Sequence, residues 1–544
     1  MKTKLLIPIV RIHNSLRLSI LVFLLFLNCL SVFAQPTITN STFSDNSIWM
    51  PFSLSFSHHE VAYLRLAPLS GNELLAAVFD GSNAGIIIDD GIGGRAYQDF
   101  ASLSYSPNTP TQFYNPDVTL LRGGTKAIVT FETNDATYGA YILEFDIDPI
   151  LMTIIQSGSG YPIYTSLATE PKIDGSPDYS IVDRFAVTFI DQSSKDVYYE
   201  IYQYSGGSYL SLSAPYLASP TPVASSIIRL HPDIALSFDN TSNDPVVEVS
   251  YREYNANIND LFLCVDETHT SSIGAPSSQT NRLYDQVFLT TTFVPSLCGY
   301  PRIAGENGLN GLSGTTYMQC VVAASDLYNL TSGTPHLKYA NIDLSGGSTI
   351  YNLDAPYNST AAYRNEDPAV GWMLNTTDAF VAWGTNYNGG SQAVDVVGVM
   401  QPDFISYPAY NAWEKVNDNS YLPIINSTTV YSDPYNQAYL VSYKRTVSGV
   451  DDIMYKLRSM PSTGFKMNSN SLKNISTLYP NPTKDFINVD LLQEGEINIY
   501  DMYGKLCLKE HCHSKENNVN IKDLSDGVYF LKTEFSSFTF LIKK

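Results

Sequence analysis

Four ionisable residues of alternating sign each follow a proline: Asp117 after Pro116, Lys172 after Pro171, Asp233 after Pro232 and Arg302 after Pro301. If the strands that begin at these prolines are innermost in a radial fold, the four side chains share an axis and line a polar channel. Otherwise they neutralise one another or point into solvent, where exposed pairs contribute little. His58-His59-Glu60 is the densest cluster of ligand-type residues in the body of the chain. Adjacent residues of a strand point to opposite faces, so the two histidines are not expected to share a metal, and a structural or surface role is expected. His231, His269 and His336 are scattered, and each reads as a hydrogen-bonded structural residue rather than a base.

Acidic clusters offer a second chemistry. Asp89-Asp90, Asp146/Asp148 and Asp239/Asp244 supply oxygen ligands of the kind calcium takes, but none has the regular spacing of a loop site, so no cofactor is expected and calcium stays an open option. A nucleophile elbow, a zincin helix motif, a P-loop, a dinucleotide fingerprint and an Asp-box are all absent, and no catalytic residue can be named. Paired carboxylates can hydrolyse a glycosidic bond when roughly 5 to 10 Å apart across a cleft, a distance that sequence does not supply. The chain has 38 Tyr, 25 Phe and only 4 Trp. Tyrosine suits sugar stacking and protein contacts, and equally suits half-buried strands.

The elements that must position these residues are strands. Between about Asp45 and Met460 the chain is rich in Tyr, Val, Ile, Thr, Ser and Gly and lacks long helical periodicity. A phrase recurs seven times: Pro68-Leu69-Ser70, Pro116-Asp117-Val118, Pro171-Lys172-Ile173, Pro232-Asp233-Ile234, Pro301-Arg302-Ile303, Pro368-Ala369-Val370 and Pro423-Ile424-Ile425. Most are followed by an apolar strand and then, past a polar hairpin, by a third one, as in Ala127 to Phe131 and Tyr141 to Phe145. The prolines are 48, 55, 61, 69, 67 and 55 residues apart. A four-stranded sheet repeating every ~50 residues is what a β-propeller blade requires, and radial repetition protects sheet edges. The expected fold is therefore all-β, a seven-bladed propeller over residues 35–460, with a pair of β-sandwich domains as the alternative. Ser70 makes the first repeat the weakest, which leaves six or eight blades open. Residues Gln35 to Leu64 are a candidate for an outer strand that closes the ring.

Periodicity stops in the run Pro461 to Asn470, which reads as a linker. Beyond it, alternating pairs such as Ile487/Val489, Ile497/Ile499, Leu506/Leu508 and Val519/Ile521 predict the half-buried strands of a small sandwich over 471–544. Pro480 and Pro482 suit a segment leading into the sheet, while Gly504 and Gly527 suit turns with positive φ. The ordered motif is Pro480-Asn481-Pro482 with Asp485, then Tyr500-Asp501 with Gly504-Lys505, then Gly527 with Tyr529, and finally Lys543-Lys544. In this order it resembles the type A C-terminal sorting domain of type IX secretion, a family of β-sandwich modules that carry cargo across the outer membrane of certain Gram-negative bacteria. Cys507 and Cys512 depart from the usual pattern. The resemblance implies recognition by the translocon, removal of the tail by a sortase-like peptidase, and cargo that is released or linked to surface lipopolysaccharide.

The front of the chain agrees with export. Lys2, Lys4, Arg11 and Arg17 precede the apolar run Leu18 to Leu27, and Val32-Phe33-Ala34 supplies compact residues before a cut ahead of Gln35, the pattern of a signal peptide over 1–34. The apolar core is short for a bilayer span, so no transmembrane anchor is expected in the mature chain. Formal net charge is −21, with 32 basic and 53 acidic residues, which argues against nucleic acid and anionic membranes as partners. Five cysteines follow residue 34, an odd number whose spacing fits no metal motif: Cys264, Cys298, Cys320, Cys507 and Cys512. For the body two readings stand, a binding or adhesion module for a glycan or protein ligand, and a polysaccharide-cleaving enzyme.

Overall fold

Alternation of apolar and polar residues, broken by turn-forming Gly, Asn and Asp, produces an all-β chain. A computed structural model describes residues 39–40, 46–51, 53, 55–65, 73–175, 184–212, 214–218, 226–238, 245–270, 276–288, 299–305, 319–326, 336–343, 347–352, 365–372, 379–385, 395–401, 414–417, 423–433, 438–459, 475–479, 484–491, 495–501, 505–512, 515–532 and 537–543. The expected signal peptide and linker lie outside these residues, as do Pro480, Asn481, Pro482, Gly504 and Lys544. The chain divides into two compact units, Met1–Met460 and Pro461–Lys544.

In the first unit the described strands form seven sheets of four or five strands, antiparallel but for one edge pair, each built mainly from consecutive segments. The first strands of the sheets are His59–Arg65, Phe113–Leu121, Ala168–Gly175, Ile227–Phe238, Arg302–Gly305, Asn365–Trp372 and Pro423–Asp433. Each packs against the first strand of the next sheet, and the seventh returns to the first. A closed ring of sheets whose first strands are innermost is a seven-bladed β-propeller, and the alternative of two sandwiches falls. Apolar cores lie between neighbouring blades. Leu64, Leu74 and Ile88 of the first meet Leu120, Val129 and Leu143 of the second, and Phe185 and Val187 of the third meet Ile128 and Ile142 of the second. Each such fully buried side chain stabilises the fold by about 1.5–3 kcal/mol.

The first repeat departs from expectation. Its inner strand is His59–Arg65, paired with Glu73–Phe79, so it precedes Pro68 instead of starting there. The heptapeptide HEVAYLR has its own apolar stretch, and Pro68 lies outside the described residues. Residues 35–64 thus supply an inner strand as well as outer ones. Asn46–Ser47 is the outermost strand of the seventh blade, antiparallel to Val450–Ser459, and Thr39–Asn40 runs parallel to Glu414–Lys415 at the edge of the sixth.

The second unit is a small sandwich. One sheet contains Ile475–Tyr479, Phe486–Leu491 and Lys515–Asn520; the other contains Leu506–Cys512, Gly495–Asp501, Gly527–Lys532 and Ser537–Ile542. Between them lie Ile487, Val489, Ile497, Ile499, Val519, Ile521, Tyr529, Leu531 and Ile542. Gly527 opens a strand just after a turn with a positive φ of 158°, a backbone conformation that residues with a Cβ rarely adopt, as expected.

Candidate functional site: an axial pocket

The inner strands carry a repeated irregularity. In the second, third, fourth and sixth blades the pairing of the inner strand slips between Tyr114 and Asp117, Thr169 and Lys172, Leu230 and Asp233, and Glu366 and Ala369. At each slip the residue before the proline takes a left-handed backbone: Asn115 at φ 47°, Glu170 at 51°, His231 at 54° and Asp367 at 47°. The proline lacks a ladder donor and sits in the bulge, where it costs no hydrogen bond. A left-handed backbone at a residue with a Cβ costs roughly 1–2 kcal/mol. Four such residues in corresponding places are an expense that packing alone does not demand.

These residues surround a cavity of about 250 Å³ on the propeller axis. Its lining comes from six blades and includes Glu60, Asn115, Glu170, His231, Tyr300 and Asp367, with the following prolines and the charged residues Lys172 and Arg302. Neighbouring blades are stitched together here by side chains that accept from the backbone of the next blade. Glu132 Oε1 accepts from Glu170 N at 2.6 Å, and Glu170 Oε2 accepts from His231 N at 2.6 Å. Asp117 Oδ2 accepts from Ile173 N at 3.0 Å, Asp174 Oδ2 from Leu236 N at 2.8 Å and Asp233 Oδ2 from Ile303 N at 2.9 Å.

Asp117, Lys172, Asp233 and Arg302 are placed together around Glu60. Glu60 Oε1 accepts from Arg302 Nη2 at 2.6 Å and from Lys172 Nζ at 3.2 Å, and Lys172 Nζ is also 3.9 Å from Asp117 Oδ2. Burial pushes the Glu60 carboxyl up, but Arg302 and Lys172 outweigh burial and hold it below the usual carboxylate range. For Asp117, burial wins over Lys172 and the carboxyl is pushed up to about 7. Asp174 is likewise pushed up to about 7 by burial, against its two backbone donors, and burial also raises Asp233. Burial disfavours the charged form of Arg302, yet Glu60, Asp233 and Asp117 reverse this and raise its pKa.

At the pocket wall Glu170 Oε2 also lies 2.9 Å from His231 Nδ1, and the His231 and Tyr300 rings are 3.9 Å apart between centroids. Asn115 Nδ2 donates to Glu132 Oε1 at 3.2 Å, and Glu132 is raised above its ordinary value, first by burial and then by Glu170. Burial lifts the Tyr300 hydroxyl to about 12. His58 is held by Asp80, Nδ1 to Oδ2 at 3.2 Å, whereas His59 is buried edge-on against Phe56 and lowered to about 4, chiefly by burial.

Other expected features sit elsewhere. Asp89 and Asp90 accept from backbone amides of Trp49 and of Gly91 to Gly94, Asp148 accepts from Ile150 and Leu151, and Asp146 pairs with Lys126 at 2.7 Å. Asp239 and Asp244 are outside the described residues. Among the described residues no group of three or more His, Cys, Asp or Glu side chains is placed to hold a metal ion. Cys264 is buried and Cys507 half-buried. Within the tail, Asp485 and Lys505 are exposed, Lys543 is exposed, Tyr500 is half-buried, and the Tyr529 hydroxyl donates to Ser525 O at 3.1 Å. Asp501 closes the strand Gly495–Asp501.

What sequence reading missed is the residue before each proline. Asn115, Glu170, His231, Tyr300 and Asp367 are all polar, and that shared polarity was the available signal.

Residues 477–544 match the family described as "Secretion system C-terminal sorting domain". The chain therefore carries a type IX sorting tail and is cargo for export to the cell surface or beyond. No curated protein matches the chain. Among solved structures it is similar to a Trypanosoma rangeli sialidase in complex with 2,3-difluorosialic acid, at 8% identity over 82% of this chain and 84% of that one, with a TM-score of 0.36. An endo-arabinase from Bacteroides thetaiotaomicron matches at 11% identity, 67% and 98% coverage and a TM-score of 0.29. An α-L-arabinofuranosidase of Fusarium graminearum in complex with arabinobiose matches at 10% identity, 54% and 93% coverage and a TM-score of 0.29. At these scores the likenesses carry no argument about chemistry.

Proposed function

We propose that the mature protein is an exported glycan-binding propeller that holds one sugar unit, or the end of a chain, in its axial pocket. The observation that supports this is the convergence of Asn115, Glu170, His231, Tyr300 and Asp367 on a single cavity, four of them in a strained backbone conformation. Strain of this kind clusters at ligand clamps. A volume of about 250 Å³ lies below the range of drug-sized sites and suits a small ring. Carboxylate, amide, imidazole and phenol groups around it match the hydroxyls and the apolar face of a sugar. In this reading a signal peptide over 1–34 directs the chain to the periplasm, the tail engages the translocon, and a sortase-like peptidase removes it.

A second reading, glycoside cleavage, draws on one further observation. Glu170 and Asp367 both line the cavity, and the raised carboxyl of Glu132 lies directly behind Glu170. Two carboxyl groups facing one cleft are what such cleavage uses. A glycan array and a hydrolase screen on the full chain test both readings. Saturable binding without turnover supports the binding module, turnover of any polysaccharide replaces it with the enzyme, and neither result on a broad panel removes both.

A further inference from the structure

A second cavity lies between the first and second blades, where their inner strands begin. Its volume is about 390 Å³, larger than the axial pocket, and its lining includes Ser55, Ser57, Ser82, Thr111, Gln112 and Tyr114. Two pairs of consecutive residues divide between the cavities. Ser57 lines the outer one and His58 the axial one; on the second blade Tyr114 lines the outer one and Asn115 the axial one. The bulge that begins after Tyr114 and holds Asn115 in a left-handed backbone thus supplies a side chain to each. Asp80 fixes the boundary on the first blade, its Oδ1 accepting from Ser57 N at 2.6 Å and from His58 N at 3.0 Å. The two cavities therefore adjoin, separated by one residue step on each blade.

The chemistry of the outer cavity suits more of the same ligand. Its two carboxylates serve the fold, Asp80 as above and Asp99 by accepting from Ala101 N at 3.0 Å. The other polar side chains around it are hydroxyls and one amide, groups that donate and accept as sugar hydroxyls do. Tyr114 is 42% exposed, and its hydroxyl donates to Gln112 Oε1 at 2.5 Å, which presents the ring as a fixed aromatic face. Asn134 holds the same wall, with Nδ2 donating to Thr111 Oγ1 at 2.9 Å and Oδ1 accepting from Thr111 N at 3.0 Å. A wall set in place before binding loses little freedom when a ligand arrives.

We infer that the two cavities form one cleft for an oligosaccharide, its terminal unit in the axial pocket and the units that follow lying over Tyr114 between the first and second blades. The inference rests on the glycan reading and adds the length and course of the bound sugar. Isothermal titration of the full-length protein tests it, with glucose, mannose and galactose, their β-1,4-linked oligomers of two to four units, and the α-1,4-linked glucose oligomers. In the series that binds, affinity is expected to rise at least roughly tenfold from the monosaccharide to the trimer, and Tyr114→Ala to bring the trimer back to within about threefold of the monosaccharide. The chain-length series is read on the unmodified protein, so it stands even if the variant fails to fold. Equal affinity for one unit and for three or four overturns the extended cleft and leaves the glycan reading in place. Undiminished trimer affinity in a folded Tyr114→Ala protein also overturns it, because the added units then lie elsewhere. Binding of none of these sugars overturns both.

Discussion

The hub of the propeller and the core of the sorting tail are built from opposite materials. Among the described residues the tail is held by nine apolar side chains, nearly all on the inward side of alternating strands of two short sheets. At the hub, Glu60, Lys172, Arg302, Asp117 and Asp233 are buried together beside strained, non-glycine backbone. An aliphatic core stabilises without further conditions, whereas buried ion pairs roughly break even against apolar residues of similar size. The tail is therefore held by apolar burial, whereas the hub concentrates buried charge that contributes little net stability.

The largest effect expected from this contrast concerns the tail. Removing residues 471–544 should leave the propeller folded but retain it in the periplasm, which fractionation and surface protease digestion can detect; undiminished surface display would refute the sorting role. At the hub, Glu60→Ala takes away the partner shared by Lys172 and Arg302. The loss should be about 3–5 kcal/mol, as for other buried pairs broken on one side, measured by chemical unfolding of the propeller transition. An unchanged midpoint would mean that the ionic cluster holds nothing together. Ile499→Ala should cost the tail about 2–5 kcal/mol through cavity formation and leave the propeller transition where it was. A shift in both transitions would end the claim of two independent cores.

A smaller effect is expected from pH. Asp117 and Asp174 have folded pKa values of about 7, above the ordinary aspartate value, so the stability they contribute is fully present below about pH 4 and is lost as pH rises through about 7. Thermal melts should therefore fall between pH 5 and pH 8, and Asp174→Asn should flatten that fall; an equally steep fall in the variant would locate the effect elsewhere. The smallest effect separates two kinds of left-handed residue. Lys195, at φ 62°, lies in an exposed turn, and Lys195→Gly should gain up to about 1 kcal/mol. Asn115→Gly releases similar strain but gives up the bond to Glu132, so its gain should be smaller. A larger gain at Asn115 would show that its side chain serves no structural purpose.

Much of this contrast was legible before any coordinates. Alternation at Ile487/Val489 and Ile497/Ile499 marks the faces that meet in the tail core, because the two-residue period of a strand is local information. The Pro-Asp, Pro-Lys and Pro-Arg steps marked the hub, because a proline in an inner strand has to be accommodated in the same way in each blade. Glu60 was not legible as the centre of that hub. Its bond to Arg302 spans 242 residues, and no local pattern encodes a contact of that separation. The first inner strand was misplaced for a similar reason: His59-Glu60 stands where other blades have a proline step, and Pro68 offered a misleading landmark.

The strand pairing at Asn46–Ser47 has a consequence for timing. Its partner, Val450–Ser459, lies some four hundred residues further along, and Phe56 N donates to Asp451 Oδ2 across a separation of 395. Loop closure over such a distance is slow compared with forming a hairpin. A chain threaded from its front end can assemble one blade after another, yet its ring stays open until the seventh blade arrives. Shutting that latch joins the first blade to the seventh and so completes the ring around a pocket whose lining comes from the first six.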